Sequence, residues 1–400
     1  MKKMYLIVWT SLLLLVPLQV FAQPKASNQI PAREAVPASD IFRTKPYLQR
    51  PIGDEITICW ETNVPVVSWV EYGKDGMLDR KKMLYADGQM ICNNMRHHFR
   101  LSGLEPGETY SYRVCSQEIT LYEPYKKEFG NTAVSDVYTF TLPEKDETDF
   151  TVLLFNDLHS HFNTMDSFAN ILKEQQIGYD FVIFNGDCID DVNREERAIE
   201  VLNHLNALAD ASNKPFFFLR GNHEIRGAYS IEMRKLFDYI DQTTYGAFSW
   251  GDTRFVTLDC GEDKPDSTWV YYDLNDFSRF RLDQVAFLSD ELSSPEFKQA
   301  ERHILVHHIP IYGDVGDSYN PCFDLWHPLL KEAPFDISLN AHWHRFTYYP
   351  KGKLENNFPV VIGGGPKPEI AYMLILQKKG EQLTLRALGT DGKEKLKLEL

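Results

Sequence analysis

The chain has 400 residues, 43% of them hydrophobic, which is enough apolar material for a full core and about two domains. Its formal charge of −15 argues against a long polyanion such as nucleic acid as a partner. The six cysteines are scattered without a CxxC pair, which excludes a cysteine-built zinc module and leaves any disulfide pairing open.

Residues 1–22 carry Lys2 and Lys3, the apolar run YLIVWTSLLLLVPLQV, and then Val20-Phe21-Ala22. This is the pattern of a signal peptide, and it predicts an exported, periplasmic or secreted, protein. The run is short and interrupted by Pro17, so no stable membrane insertion of the mature chain is expected. Loss of the two lysines takes the charge from −15 to −17. Residues 23–42, rich in Pro, Ala and Ser, read as a flexible leader.

From residue 43 to 142 the texture is one of short alternating strands: EITICWET, VVSWVEYG, HHFRLSG, TYSYRVCS and SDVYTFTLP. Turn residues separate them as in a β-sandwich. Trp60 is suited to fill the space between two sheets. Tyr110, in Leu104-x-Pro106-Gly107-x-x-Tyr110-x-Tyr112, is placed to tie a corner back to the backbone. His97 and His98 read as surface strand residues. On Trp60 and the Tyr motif, the segment resembles a fibronectin type III domain, in particular the one at the front of purple acid phosphatases.

LPEKDETD (142–149) is a charged linker, and beyond it apolar strands alternate with amphipathic helices to residue 400. Continuous apolar runs between helices predict buried strands of an α/β sandwich, with functional residues beyond the strands' carboxyl ends. Five strand ends carry polar clusters: FNDLHSH (155–161), NGD (185–187), RGNHE (220–224), VHHIP (306–310) and AHWH (341–344). Seven of the twelve histidines lie in these clusters, a concentration that composition alone does not require.

In order and strand context these motifs resemble the calcineurin-like metallophosphoesterase superfamily, over about residues 150–370. The resemblance implies an αββα sandwich and two metal ions, divalent or trivalent. Zn, Mn and Fe all suit a mixed carboxylate, imidazole and amide site. It implies Asp157, His159, Asp187 and His344 on the first metal, and Asp187, Asn222, His307 and His342 on the second, with Asp187 bridging. V-x-x-H phasing favours His307 over His308. His223 would be the general acid and Glu224 would orient it. Asn156 and Arg220 would either contact the phosphate or cap loops, and His161 would face solvent.

Purple acid phosphatases place a metal-binding Tyr three residues after the GD aspartate. Here that position is Asp190, and His159 stands in the first motif where those enzymes carry Asp. Tyrosinate coordination is therefore excluded at this position. Ala341 replaces a common Gly at little cost if its φ is negative. GGG (363–365) lacks dinucleotide-loop spacing and reads as a strand-end turn near the metals. Aromatics in 262–280 and 312–326 would stack on a base, a sugar or a lipid headgroup, or merely pack. The expected activity is hydrolysis of a small phosphorylated substrate, a phosphomonoester, by attack of a metal-bound hydroxide. A phosphodiesterase with the same core and a non-catalytic surface binding protein are the alternatives.

Overall fold

A computed structural model of the chain describes residues 31–144, 146–190, 192–313 and 319–400. The expected signal peptide and the first part of the expected leader lie outside the described residues. From Arg33 onward the leader is docked rather than flexible. Arg33 pairs with the fully buried Glu118 carboxylate at 2.7 Å, and the Val36 N–H donates to the same group. Ile41 is fully buried against Val64 and Val66. A Pro/Ala/Ser-rich composition hid one buried apolar anchor, Ile41, and an ion pair onto a buried carboxylate.

The β-rich domain is organised by one long strand, Glu55–Lys74. Its first part pairs with Asn94–Leu101 and its second part with Thr109–Glu123, with a register break between Glu61 and Val66. The two parts close over Trp60, which is fully buried among Phe99, Leu101, Tyr110 and Phe140. Tyr110 ties the corner as expected, its hydroxyl accepting the Glu105 N–H at 3.0 Å. His97 is not on the surface. It is 3% exposed and stacks on Trp60 at 5.0 Å between ring centroids, continuing the inward parity of Phe99.

After residue 149 two sheets face each other. In the first, the strands Phe150–Phe155, Phe181–Asn185 and Phe216–Leu219 run parallel. Three antiparallel strands, Tyr372–Lys379, Gln382–Gly389 and Glu394–Glu399, extend it on one side. In the second, Thr253–Leu258, Arg302–His307, Ile337–Asn340 and Val360–Ile362 are parallel. Phenylalanines fill the space between the sheets: Phe217 stacks on Phe248 at 3.8 Å and Phe181 on Trp250 at 4.4 Å. Each such pair adds about 0.5–1.5 kcal/mol beyond simple burial.

Helices cover both outer faces. Phe162–Glu174 buries Met165, Phe168, Ile171 and Leu172, spaced to form one stripe, against the first sheet. Phe277–Ser293 and Pro321–Leu330 cover the second, with Leu288, Trp326 and Leu330 inward. The latter helix starts with an Asn320 cap and Pro321 at its first position. The architecture is the expected β-rich domain followed by an αββα sandwich.

One feature departs from two separate units. The strand Tyr47–Ile52 lies parallel to Phe216–Leu219, with Gln49 opposite Phe216, so one sheet runs through both domains. The Tyr112 hydroxyl donates to Ser212 O at 2.7 Å, and the Tyr47 hydroxyl to Leu236 O at 2.7 Å.

Candidate metal centre

All five polar clusters open on one rim, because the strands before them are parallel within each of the two facing sheets. Six non-glycine residues there hold left-handed backbone: Asp157 (φ 47°), His159 (43°), Ser160 (57°), Asp187 (50°), His342 (74°) and His344 (52°). Such conformations cost roughly 1–3 kcal/mol each and persist only where surroundings over-determine them. Here the first two loops are laced together. Asp157, His159 and Ser160 donate their backbone N–H groups to the carbonyls of Gly186, Asp187 and Cys188 at 3.0, 2.8 and 3.0 Å. Gly186 (φ 76°) must be glycine, since a Cβ would lie 2.5 Å from His308 Nδ1.

The side chains converge in three overlapping groups. Asp157, His159, Asp187 and His344 form one, Asp187, His308 and His342 a second, and His159, Asp190 and His223 a third. The Nε2 atoms of His159 and His344 are 2.9 Å apart. His344 Nε2 lies 3.4 Å from Asp157 Oδ1, and His308 Nε2 lies 3.1 Å from Asp187 Oδ2. Two imidazole nitrogens this close, aimed at the same carboxylates, fit a shared cation. Three buried atoms fit it too: Asp157 Oδ1, Asn222 Oδ1 and His308 Nε2 have no hydrogen-bond partner. A buried polar group left this way costs about 1–3 kcal/mol. The His344 side chain is 41% exposed, so the centre opens to solvent on its side.

Electrostatics mark the same point. Burial acts to lower the pKa of His308, but the carboxylates of Asp187 and Asp157 raise it to about 10. His159 behaves alike: against burial, the nearby carboxylates of Asp157, Asp190 and Asp187 bring it to about 10. Burial acts to raise Asp157, yet His159 and His344 hold it at about 2. Asp187 is also held below the carboxylate range, by His308 against the effect of burial. The two carboxylates therefore demand positive charge at this spot.

The structure places Asp157, His159, Asp187, His342 and His344 together as expected, with Asn222 buried beside them. It does not place His307 there. The strand Arg302–His307 alternates: Ile304 and Val306 face the other sheet, while Leu305 faces the outer helices. His307 continues the parity of Leu305. Its Nδ1 lies 2.8 Å from Ile309 O, and Asn340 Nδ2 donates to its Nε2 at 2.9 Å. Burial lowers its pKa to about 4. His308 follows the inward parity, its Nδ1 donating to Asn185 O at 2.8 Å, which leaves Nε2 for a cation. The period of two was the signal that could have found it.

One other expectation is corrected, and the two left open, Asn156 and Arg220, have side chains engaged within the protein. Glu224 does not orient His223. Its Oε2 accepts the N–H groups of Asp187 and Gly221 at 2.8 Å each and its Oε1 that of Ile189 at 2.9 Å, so it fastens two loops together. Burial, then the Asp187 charge, pushes its pKa to about 7. Asn156 is buried and donates to Asp157 Oδ2 at 2.7 Å and to Gly364 O at 2.9 Å, so it positions a carboxylate. Arg220 is held by the buried Asp259 at 2.8 Å.

His223 donates its backbone N–H to Asp187 Oδ1 at 2.8 Å, and its ring meets that of His159 edge-on at 4.7 Å. Arg226 Nη1 is 3.4 Å from His223 Nε2. Asp190, singled out only as the residue standing in place of a tyrosine, lies 2.7 Å from His159 Nδ1 and so fixes which ring nitrogen faces the centre. His161 is exposed, with Nδ1 2.9 Å from the His159 carbonyl. Gly363 abuts Asn156 and Gly365 abuts His344, which puts the GGG turn beside the centre as expected. None of the six cysteines is paired.

Comparison with known proteins agrees with this geometry. Residues 150–346 match the family model of calcineurin-like phosphoesterases, and residues 46–142 match that of the purple acid phosphatase N-terminal domain. A purple acid phosphatase isolated from yellow lupin (Lupinus luteus) seeds superposes with a TM-score of 0.64 at 18% identity, covering 88% of this chain and 73% of that one. The structure of PhoD superposes with a TM-score of 0.62 at 13% identity, covering 92% and 90%. No curated protein matches the chain by sequence.

Proposed function

With residues 150–346 a calcineurin-like phosphoesterase domain behind a purple-acid-phosphatase N-terminal domain, we propose that the chain is an exported phosphomonoesterase working with two cations that share Asp187. The observation that carries the reading is the position of Asp187, common to a group with Asp157, His159 and His344 and a group with His308 and His342. Asn222, its carbonyl oxygen buried and unpartnered, completes the second set. Bound there, such a pair supplies Lewis acidity toward the phosphoryl oxygens and toward the attacking water.

The chain's own residues do the rest. His342 anchors Asp157 through its backbone N–H, at 2.9 Å from Oδ2, and Asn156 anchors the same oxygen. Asp190 holds the His159 ring, and Asn185 holds that of His308. His223, hinged on Asp187 and beside the His159 ring, is the group that gives a proton to the leaving oxygen. Glu224 takes no part in proton transfer, since its oxygens are occupied by three backbone N–H groups. The leader sequence of residues 1–22 supports export. Among the described residues no helix is long and apolar enough to cross a membrane.

The test compares hydrolysis of p-nitrophenyl phosphate with that of its bis-ester under defined Zn, Mn or Fe, together with metal analysis. The expected result is two ions per chain and faster release from the monoester. A faster bis-ester reaction would make the enzyme a diesterase. Fewer than two ions with no turnover would make the chain a binding protein.

A further inference from the structure

Beside the metal centre lies an open cleft of about 1000 Å³, far larger than a phosphate needs. Its wall includes Arg226, whose guanidinium is 3.4 Å from the His223 ring. A group that protonates the leaving oxygen sits beside the bond that breaks, so the departing group extends past it. His223 meets the His159 ring on one side and Arg226 on another, so a departing group that extends past it toward Arg226 enters the cleft.

The chemistry of the cleft narrows what that group is. Ile225, Ile231, Val270, Leu274, Phe277 and Phe280 line it. Three of these are exposed: Ile231 at 69%, Val270 at 42% and Leu274 at 84%. Exposed apolar side chains grouped at a cavity beside a reactive centre mark a binding surface. Three of the wall's four cations are already matched: Arg220 by Asp259 at 2.8 Å, Arg226 by Glu262 at 2.8 Å, and Lys264 by Asp263 at 2.6 Å, while the fourth, Arg234, donates to the Gln242 carbonyl. Asp276 and Asp283 add further negative charge to the lining. Beside His223 a second phosphate or another anionic group would meet Glu262 and Asp263, both already on Arg226, whereas an uncharged apolar group would cover the exposed side chains.

We propose that the cleft between Ile231 and the 270–280 segment is the leaving-group subsite and selects phosphoesters of apolar alcohols, with long alkyl groups preferred. The proposal rests on the phosphoesterase reading above and adds the substrate class to it.

The experiment measures phosphate release from butyl and octyl phosphate by the metal-loaded enzyme, and by a variant carrying Ile231→Ser, Val270→Ser and Leu274→Ser. None of these three side chains belongs to the metal or proton-transfer machinery. For the parent enzyme kcat/KM is expected to rise about tenfold or more from butyl to octyl, since each buried methylene is worth up to about a fourfold gain. The variant is expected to keep the butyl rate and lose most of the octyl advantage. Equal kcat/KM for the two esters, or an octyl advantage that survives the triple substitution, overturns the proposal while leaving the phosphoesterase reading in place. Absence of turnover on both esters sinks the phosphoesterase reading, and this inference with it.

Discussion

Two buried histidines, one in each domain, carry opposite electrostatic signatures. His97 packs on Trp60 in the β-rich domain, where burial drives its pKa down to about 3. His308 is buried just as fully on the rim of the αββα sandwich, yet Asp187 and Asp157 bring it to about 10. Burial alone makes a histidine a neutral packing element. Burial facing two carboxylates makes a place where positive charge is required, whether proton or metal. What separates a packing histidine from a candidate ligand here is whether carboxylates face it.

The comparison is broken most directly by removing the charge that defines the rim. Asp187→Asn is expected to lower turnover on p-nitrophenyl phosphate more than about 100-fold, beyond the loss from a residue that only supports a ligand. Circular dichroism should show the fold intact, and wild-type rates in that protein would refute a bridging role. The next effect separates neighbours. His308→Ala should lose bound metal and activity together, while His307→Ala should retain its metal and lose thermal stability instead. Metal analysis of both variants decides this, and the reverse pattern would restore the V-x-x-H reading.

Asp190→Asn comes third, with about a 10–100-fold loss in metal affinity or rate, because the His159 ring loses its anionic anchor. The smallest effect tests the packing side. His97 has a folded pKa of about 3, below the ordinary 6.5, so the unfolded chain binds its proton first. Stability contributed by neutral His97 is thus present above pH 6.5 and lost as pH falls toward 3, by about 1.4 kcal/mol per pH unit. His97→Phe, which fills the same space against Trp60, should reduce the acid slope of stability in denaturant titrations and leave phosphatase activity at pH 7 unchanged.

Much of this site was legible because ligands sit at the ends of apolar strands, and both features are visible one residue at a time. Singling out Asp157, His159, Asp187, Asn222, His342 and His344 within those clusters rested on the resemblance to calcineurin-like phosphoesterases, not on their place at strand ends alone. The errors fell where a role depends on what a side chain meets across the fold. Glu224 looked like an orienting acid, but its partners are three backbone N–H groups on two loops. Arg220 stood open between a phosphate contact and a loop cap, and its partner, Asp259, is thirty-nine residues away. His307 was a parity error, correctable from the alternation of Ile304, Leu305 and Val306. The two-domain layout was legible from texture, but the union of the sheets was not, since the alternation within Tyr47–Ile52 says nothing of which neighbour it will choose.

That union bears on how the chain can be cut. Phe216–Leu219 reads FFFL, and the N-terminal strand Tyr47–Ile52 covers its flank. A fragment beginning near residue 150 would lose the pairing of Gln49 with Phe216 and bare the flank of an all-phenylalanine and leucine edge strand. Such an edge is a template for pairing with other chains. The N-terminal domain therefore serves as a built-in guard against self-association, and a catalytic domain expressed alone should aggregate until that strand is supplied again.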